Sequence, residues 1–166
     1  MLSVPFTQAE ANQATEEWGF NCGPAALAAL LGLTPEGVRP VMGDFESKRY
    51  TSPAMMRVAL KGLISRPFKI RGSLQVEPPG PDWPKFGLVR IQWGGPWCRS
   101  GSARHRKTHW VACQHIGGLR YVFDVNGCVW GLFSGWELVL VPWLIEQVVP
   151  GGDGTFWPTH SIEVAQ

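Results

Sequence analysis

The stretch Asn21-Cys22-Gly23-Pro24-Ala25-Ala26-Leu27-Ala28-Ala29-Leu30-Leu31-Gly32 decides how the rest of the chain is read. Proline is tolerated in a first helical turn, where its missing N–H has no intrahelical acceptor, so Pro24 marks a helix start. Alanine and leucine are strong helix formers, and Gly32 supplies a left-handed stop. The pattern predicts a short apolar helix with Cys22 at its N-terminal end. Unpaired backbone N–H groups and the positive end of the helix dipole stabilise a thiolate there. The same groups can donate to an oxyanion when that thiolate attacks a carbonyl. Gly23 is expected to leave room for a substrate beside the sulfur. An inert buried cysteine fits the same position, so the partners decide the chemistry.

Those partners come from Thr108-His109-Trp110-Val111-Ala112-Cys113-Gln114-His115-Ile116, Gly117-Gly118 and Leu119-Arg120-Tyr121-Val122-Phe123-Asp124-Val125. Two β-rich runs joined by Gly-Gly predict a hairpin. Asn126-Gly127 predicts a second tight turn into Cys128-Val129-Trp130-Gly131-Leu132. Alternation puts His109, Val111 and Cys113 on one strand face, and Asp124 with Val122 on a face of the next strand. Pairing across Gly117-Gly118 sets Gln114 near Arg120 or Tyr121 and brings His109 within a few residues of Asp124. A carboxylate beside a histidine fixes its tautomer and stabilises the imidazolium.

Between these segments, Thr34-Pro35-Glu36 reads as a cap with proline at the first helical position. Thr51-Ser52-Pro53 opens another helix running through Met55, Met56, Val58, Ala59 and Leu60 to Gly62. The methionine pair reads as core packing. Pro78, Pro79, Gly80, Pro81 and Pro84 break regular structure, Gly87 to Trp93 reads as a strand, and residues 94–107 read as a loop. Residues 138–149 form a short apolar run expected to be a buried strand or helix. The segment from Phe156 to Gln166 reads as a final strand or a tail.

With 166 residues, 45% hydrophobic and 17% charged, the chain fits one globular domain, 1–166, able to bury a core without staples. A net charge of +2 excludes an argument for nucleic acid, and the run Arg104, His105, Arg106, Lys107 reads as a solvated loop. The start MLSVPFTQAEANQ has no basic region, long apolar stretch or cleavage site. No stretch reaches the roughly 18 apolar residues of a membrane span. The expectation is a soluble cytoplasmic chain without a membrane span, from a bacterium or a phage. Four cysteines in a chain of this length do not make a disulfide framework, and Cys113 and Cys128 read as core residues.

A cysteine on a helix, then a histidine on a strand, then an acid on the next strand is the order used by papain-like hydrolases. NCGPAALAALLG, THWV and FDVNG, with Thr-Ser-Pro between them, resemble the C39-like branch of papain-like cysteine peptidases over roughly residues 20–130. The resemblance implies an α+β fold in which N-terminal helices pack on an antiparallel sheet, with the active site in the groove between them. It implies Cys22 as nucleophile, His109 as general base and acid, and Asp124 as the orienting group, with Asn126 as the alternative orienter. The family usually carries a glutamine shortly before the cysteine to complete the oxyanion hole. Here Glu16 and Glu17 occupy that neighbourhood, and Gln13 is the nearest glutamine, with Gln8 further back. The implied enzyme cleaves an amide, peptide or isopeptide bond of a peptide or protein, through a thioester and without cofactor or metal.

Three other readings stand beside it. A papain-like domain lacking the glutamine could bind a peptide or protein without cutting it. Cys98, His105, His109 and Cys113 could hold zinc, although their spacing matches no common structural zinc pattern. An amine could replace water at the acyl-enzyme stage, giving an acyltransferase. The nine tryptophans are expected mainly in core or groove packing. His115 reads as satisfied strand structure, and His105 as exposed. Substrate, pathway and oligomeric state are not legible in the sequence.

Overall fold

A computed structural model describes residues 2–99 and 107–166 of the chain. The N-terminal half is helical. Thr7 caps helix α1 (Gln8–Trp18) by accepting from the Glu10 N–H at 3.2 Å, while Glu10 Oε2 accepts from the Thr7 N–H at 2.6 Å. Ala11, Ala14 and Trp18 line its buried face. Helix α2 (Cys22–Leu31) ends at Gly32, whose φ of 69° is the left-handed stop expected of it. Residues Gly23 to Leu30 are all buried, which explains the continuous Ala/Leu run. Thr34 caps α3 (Pro35–Val38), α4 spans Phe45–Lys48, and Ser52 caps α5 (Pro53–Leu63). Met56 is buried and Met55 packs against the core.

Strands β1 (Phe68–Gly72), β2 (Phe86–Trp93), β3 (Thr108–Ile116), β4 (Leu119–Asp124), β5 (Val129–Leu132) and β6 (Phe156–Val164) form one antiparallel sheet. Their order is β1-β6-β2-β3-β4-β5. The hairpin turns on Gly117 and Gly118, both at positive φ, and Gln114 lies opposite Tyr121. Thus the molecule is an α+β protein built on a six-stranded antiparallel sheet.

Both faces of the sheet are covered, so every residue of β2 is buried. One face, with Leu88, Trp110, Ala112, Phe123 and Ile162, packs against α1, α2 and α5. The other, with Val89, Ile91, Val111, Cys113 and Val122, packs against Trp136, Val141 and Leu144. The latter belong to a C-terminal helical segment made of α6 (Phe133–Gly135), a π-helical turn (Trp136–Leu140) and α7 (Val141–Gln147).

One expectation needs correction. The run 138–149 is not buried throughout: Val141, Leu144 and Val149 face the core, while Leu138, Val139, Trp143 and Val148 are exposed. Of the two readings for the C-terminal segment, the structure has the final strand: Phe156 to Val164 sits between β1 and β2. Pro158 fits there because the β1 pairing stops at His160, so no β1 partner loses a bond at the proline. The β2 pairing shifts between Arg90 and Ile91, which leaves Thr159 as the extra residue of a bulge. Among the described residues, no helix is long and apolar enough to cross a membrane.

Candidate active site

Asn21 fixes the start of α2. Its Oδ1 accepts from the Gly23 N–H at 3.2 Å, and its Nδ2 donates to the Arg49 carbonyl at 3.3 Å. Cys22 is therefore the first helical residue, and its N–H has no intrahelical acceptor. The space beside Gly23 is filled rather than open. A Cβ built there would collide with Thr51 Oγ1, so glycine admits Thr51, not a substrate.

The start of β3 meets this helix end. The Cys22 sulfur is hydrogen-bonded by the His109 side chain and by the Trp110 backbone N–H. His109 Nε2 lies 2.8 Å from Asp124 Oδ2, which leaves Nδ1 to face the sulfur. The register explains the reach: Ala112 pairs with Phe123, so Val111 stands beside Asp124 and His109 lies diagonally along the same face.

Asp124 is held on every side. Trp136 donates its indole N–H to Oδ2 at 2.9 Å, and Asn126 donates to Oδ1 through its backbone N–H at 3.0 Å and through Nδ2 at 2.9 Å. Burial alone would raise this carboxyl, but the charge of His109 and these bonds hold it down at about 2. Burial would likewise lower His109, yet the charges of Asp124 and Cys22 raise it well above the ordinary imidazole value. Burial pushes the Cys22 thiol up, and the charge and hydrogen bond of His109 outweigh that, so its net displacement is downward. All three directions favour a thiolate–imidazolium–carboxylate array.

The structure thus brings Cys22, His109 and Asp124 together. Asn126 holds Asp124 rather than meeting His109. Gln13 stands apart: it is exposed on α1, with Nε2 donating to Glu17 Oε1 at 2.8 Å. The reason is helical phase, because Ala11, Ala14 and Trp18 take the buried face. Cys113 donates its thiol to the Pro84 carbonyl at 3.2 Å, and burial pushes it up to about 12. With His109 committed to Asp124 and Cys22, a zinc site there would have to break these contacts; His105 lies outside the described residues. His115 accepts from Arg120 Nε at 2.9 Å and is structural. Of the tryptophans, Trp143 is notably exposed, while Trp18, Trp93, Trp110, Trp130, Trp136 and Trp157 are buried.

A cavity of about 350 Å³ opens beside Cys22, bordered by Asn21, Arg49, Thr51, Leu74, Arg90 and Trp110 among others. Sequence reasoning missed Trp136, Thr51 and Arg90. Arg90 left a trace as a lone charge inside the apolar run Gly87 to Trp93, and Thr51 left one in the Thr51-Ser52-Pro53 helix start. Comparison with family models, with curated proteins and with solved structures finds no match to this chain.

Proposed function

We propose that the chain is a papain-like cysteine hydrolase that cleaves an amide, peptide or isopeptide bond. The observation that carries this reading is the contact of His109 with Cys22 on one side and with Asp124 on the other. His109 Nδ1 takes the thiol proton, and the thiolate attacks the substrate carbonyl to form a C–S bond. The Cys22 N–H donates to the resulting oxyanion. The amide group of Asn21, which borders the cavity, has one N–H on Arg49 and a second for the same task. Collapse breaks the C–N bond, and His109 returns its proton to the departing amine. Water then adds to the thioester, gives its proton to His109, and releases the acid and the thiol. Asp124 keeps the ring in register and stabilises its charged form throughout.

The position of Gln13 outside the cleft favours a second reading, in which the same domain binds a peptide or protein without cutting it. One experiment separates the two. A mixed library of peptide amides is incubated with the protein and with Cys22→Ala and His109→Ala variants, and products are read by mass spectrometry. Cleavage that requires both side chains supports the hydrolase. Peptides retained uncut by the wild-type protein would support the binding module instead.

A further inference from the structure

Arg90 is a buried cation with no carboxylate partner among the described residues. It lies on β2 opposite Trp110 of β3 and His160 of β6, and is 5% exposed. Its Nη1 donates to Thr159 Oγ1 at 2.9 Å, and that hydroxyl lies 3.2 Å from the Arg90 carbonyl, so the bulge in β6 anchors the side chain. Among the described residues its buried Nε has no hydrogen-bond partner. Among the described residues no carboxylate lies within ion-pair distance of Arg90, and none borders the cavity that Arg90 shares with Cys22. The other cation on that border is Arg49. His160 offers no compensation: burial, then the charge of Arg90, pushes it down to about 4, so it is neutral. Burying a charged group without full hydrogen bonding is costly, and such groups lining a cleft cluster at functional sites.

We propose that Arg90 is the specificity residue of the Cys22 cleft, binding a carboxylate of the substrate close to the bond that Cys22 attacks. This rests on the hydrolase reading for the bond, but the anion site itself does not. A guanidinium takes a carboxylate through charge-assisted, often bidentate bonds, and Thr159 holds Arg90 ready for that geometry. The carboxylate comes either from a chain terminus or from an acidic side chain, since the chemistry recognised is the same. The Cys22 charge reaches Arg90, and both border the same cavity, so a carboxylate held on the guanidinium sits near the sulfur.

The test uses two alkylating reagents that differ by one charge. Labelling rates of Cys22 by iodoacetate and by iodoacetamide are measured, each divided by the rate of N-acetylcysteine under the same conditions. The normalised preference for iodoacetate is expected to fall about tenfold in Arg90→Gln and to be kept in part by Arg90→Lys. A preference that is the same in Arg90→Gln as in wild type overturns the proposal and leaves the attraction to His109. Slow labelling by both reagents overturns the hydrolase reading instead, and their ratio still reports on Arg90. Acetylated trialanine with a free terminus, its amide, and the amide carrying one central glutamate are then compared as protectants against iodoacetamide. Protection by the free acid assigns a chain terminus, and protection by the glutamate peptide assigns a side chain. Equal behaviour of all three overturns the proposal.

Discussion

The indole N–H of Trp136 lies 2.9 Å from Asp124 Oδ2, the same oxygen that meets His109. A π-helical turn on the far side of the sheet thereby braces the acid that holds the histidine. Trp136→Phe keeps most of the ring packing and removes one hydrogen bond to a buried charge. The expected loss of stability is about 1.5–3 kcal/mol near neutral pH, read from denaturant midpoints. An unchanged midpoint would show that the bond contributes nothing net.

Asp124 gives that stability a defined pH dependence. Its folded value is below its unfolded one, so its contribution is complete above the ordinary aspartate range and disappears as pH falls through about 2. The full effect is about 2 kcal/mol by linkage. Unfolding of wild type and Asp124→Asn should therefore converge as the solution is acidified. A constant gap down to strong acid would contradict the assignment.

His109 moves the other way. Raised in the fold, it contributes stability that is complete below the ordinary imidazole range and is lost as pH rises through the folded value. Its ring carbon shifts in NMR should report an imidazolium still charged at neutral pH, titrating together with the Cys22 thiol as a pair. Cys22→Ala should bring that titration down. A ring already neutral well below pH 7 would contradict the thiolate–imidazolium pair.

Gly23 tests the packing around Cys22. Because a Cβ there would meet Thr51 Oγ1, Gly23→Ala should destabilise the fold by about 1–3 kcal/mol. Thr51→Gly should restore part of the loss. Thermal unfolding of the single and double variants measures both, and additive losses would contradict the contact.

Much of this site is written locally in the chain. Pro24 and Gly32 bracket the helix, and Gly117-Gly118 fixes the hairpin so that Gln114 opposes Tyr121, one of the two partners expected for it. What escaped the sequence depends on distance along the chain. Trp136 reaches Asp124 from an apolar run whose partner no local pattern names. The central place of the C-terminal strand was hidden by Pro158, which argues against a central strand unless its neighbour ends first, as β1 does. Two elements were legible but unread: Thr7 to Glu10 is a capping box, and Phe68 to Gly72 alternates apolar and charged residues. Gln13 shows the opposite limit, since nearness in sequence said nothing about which side of α1 it occupies.

The most direct test of the account is the rate of Cys22 alkylation by iodoacetamide from about pH 4 to about pH 10, in wild type and in His109→Ala, with mass spectrometry separating Cys22 from the other cysteines. The account predicts rapid labelling of the wild-type protein that persists below neutral pH and is lost in the variant. Slow labelling in both proteins, rising only near the free-thiol value of about 8.5, would contradict an activated thiolate at Cys22.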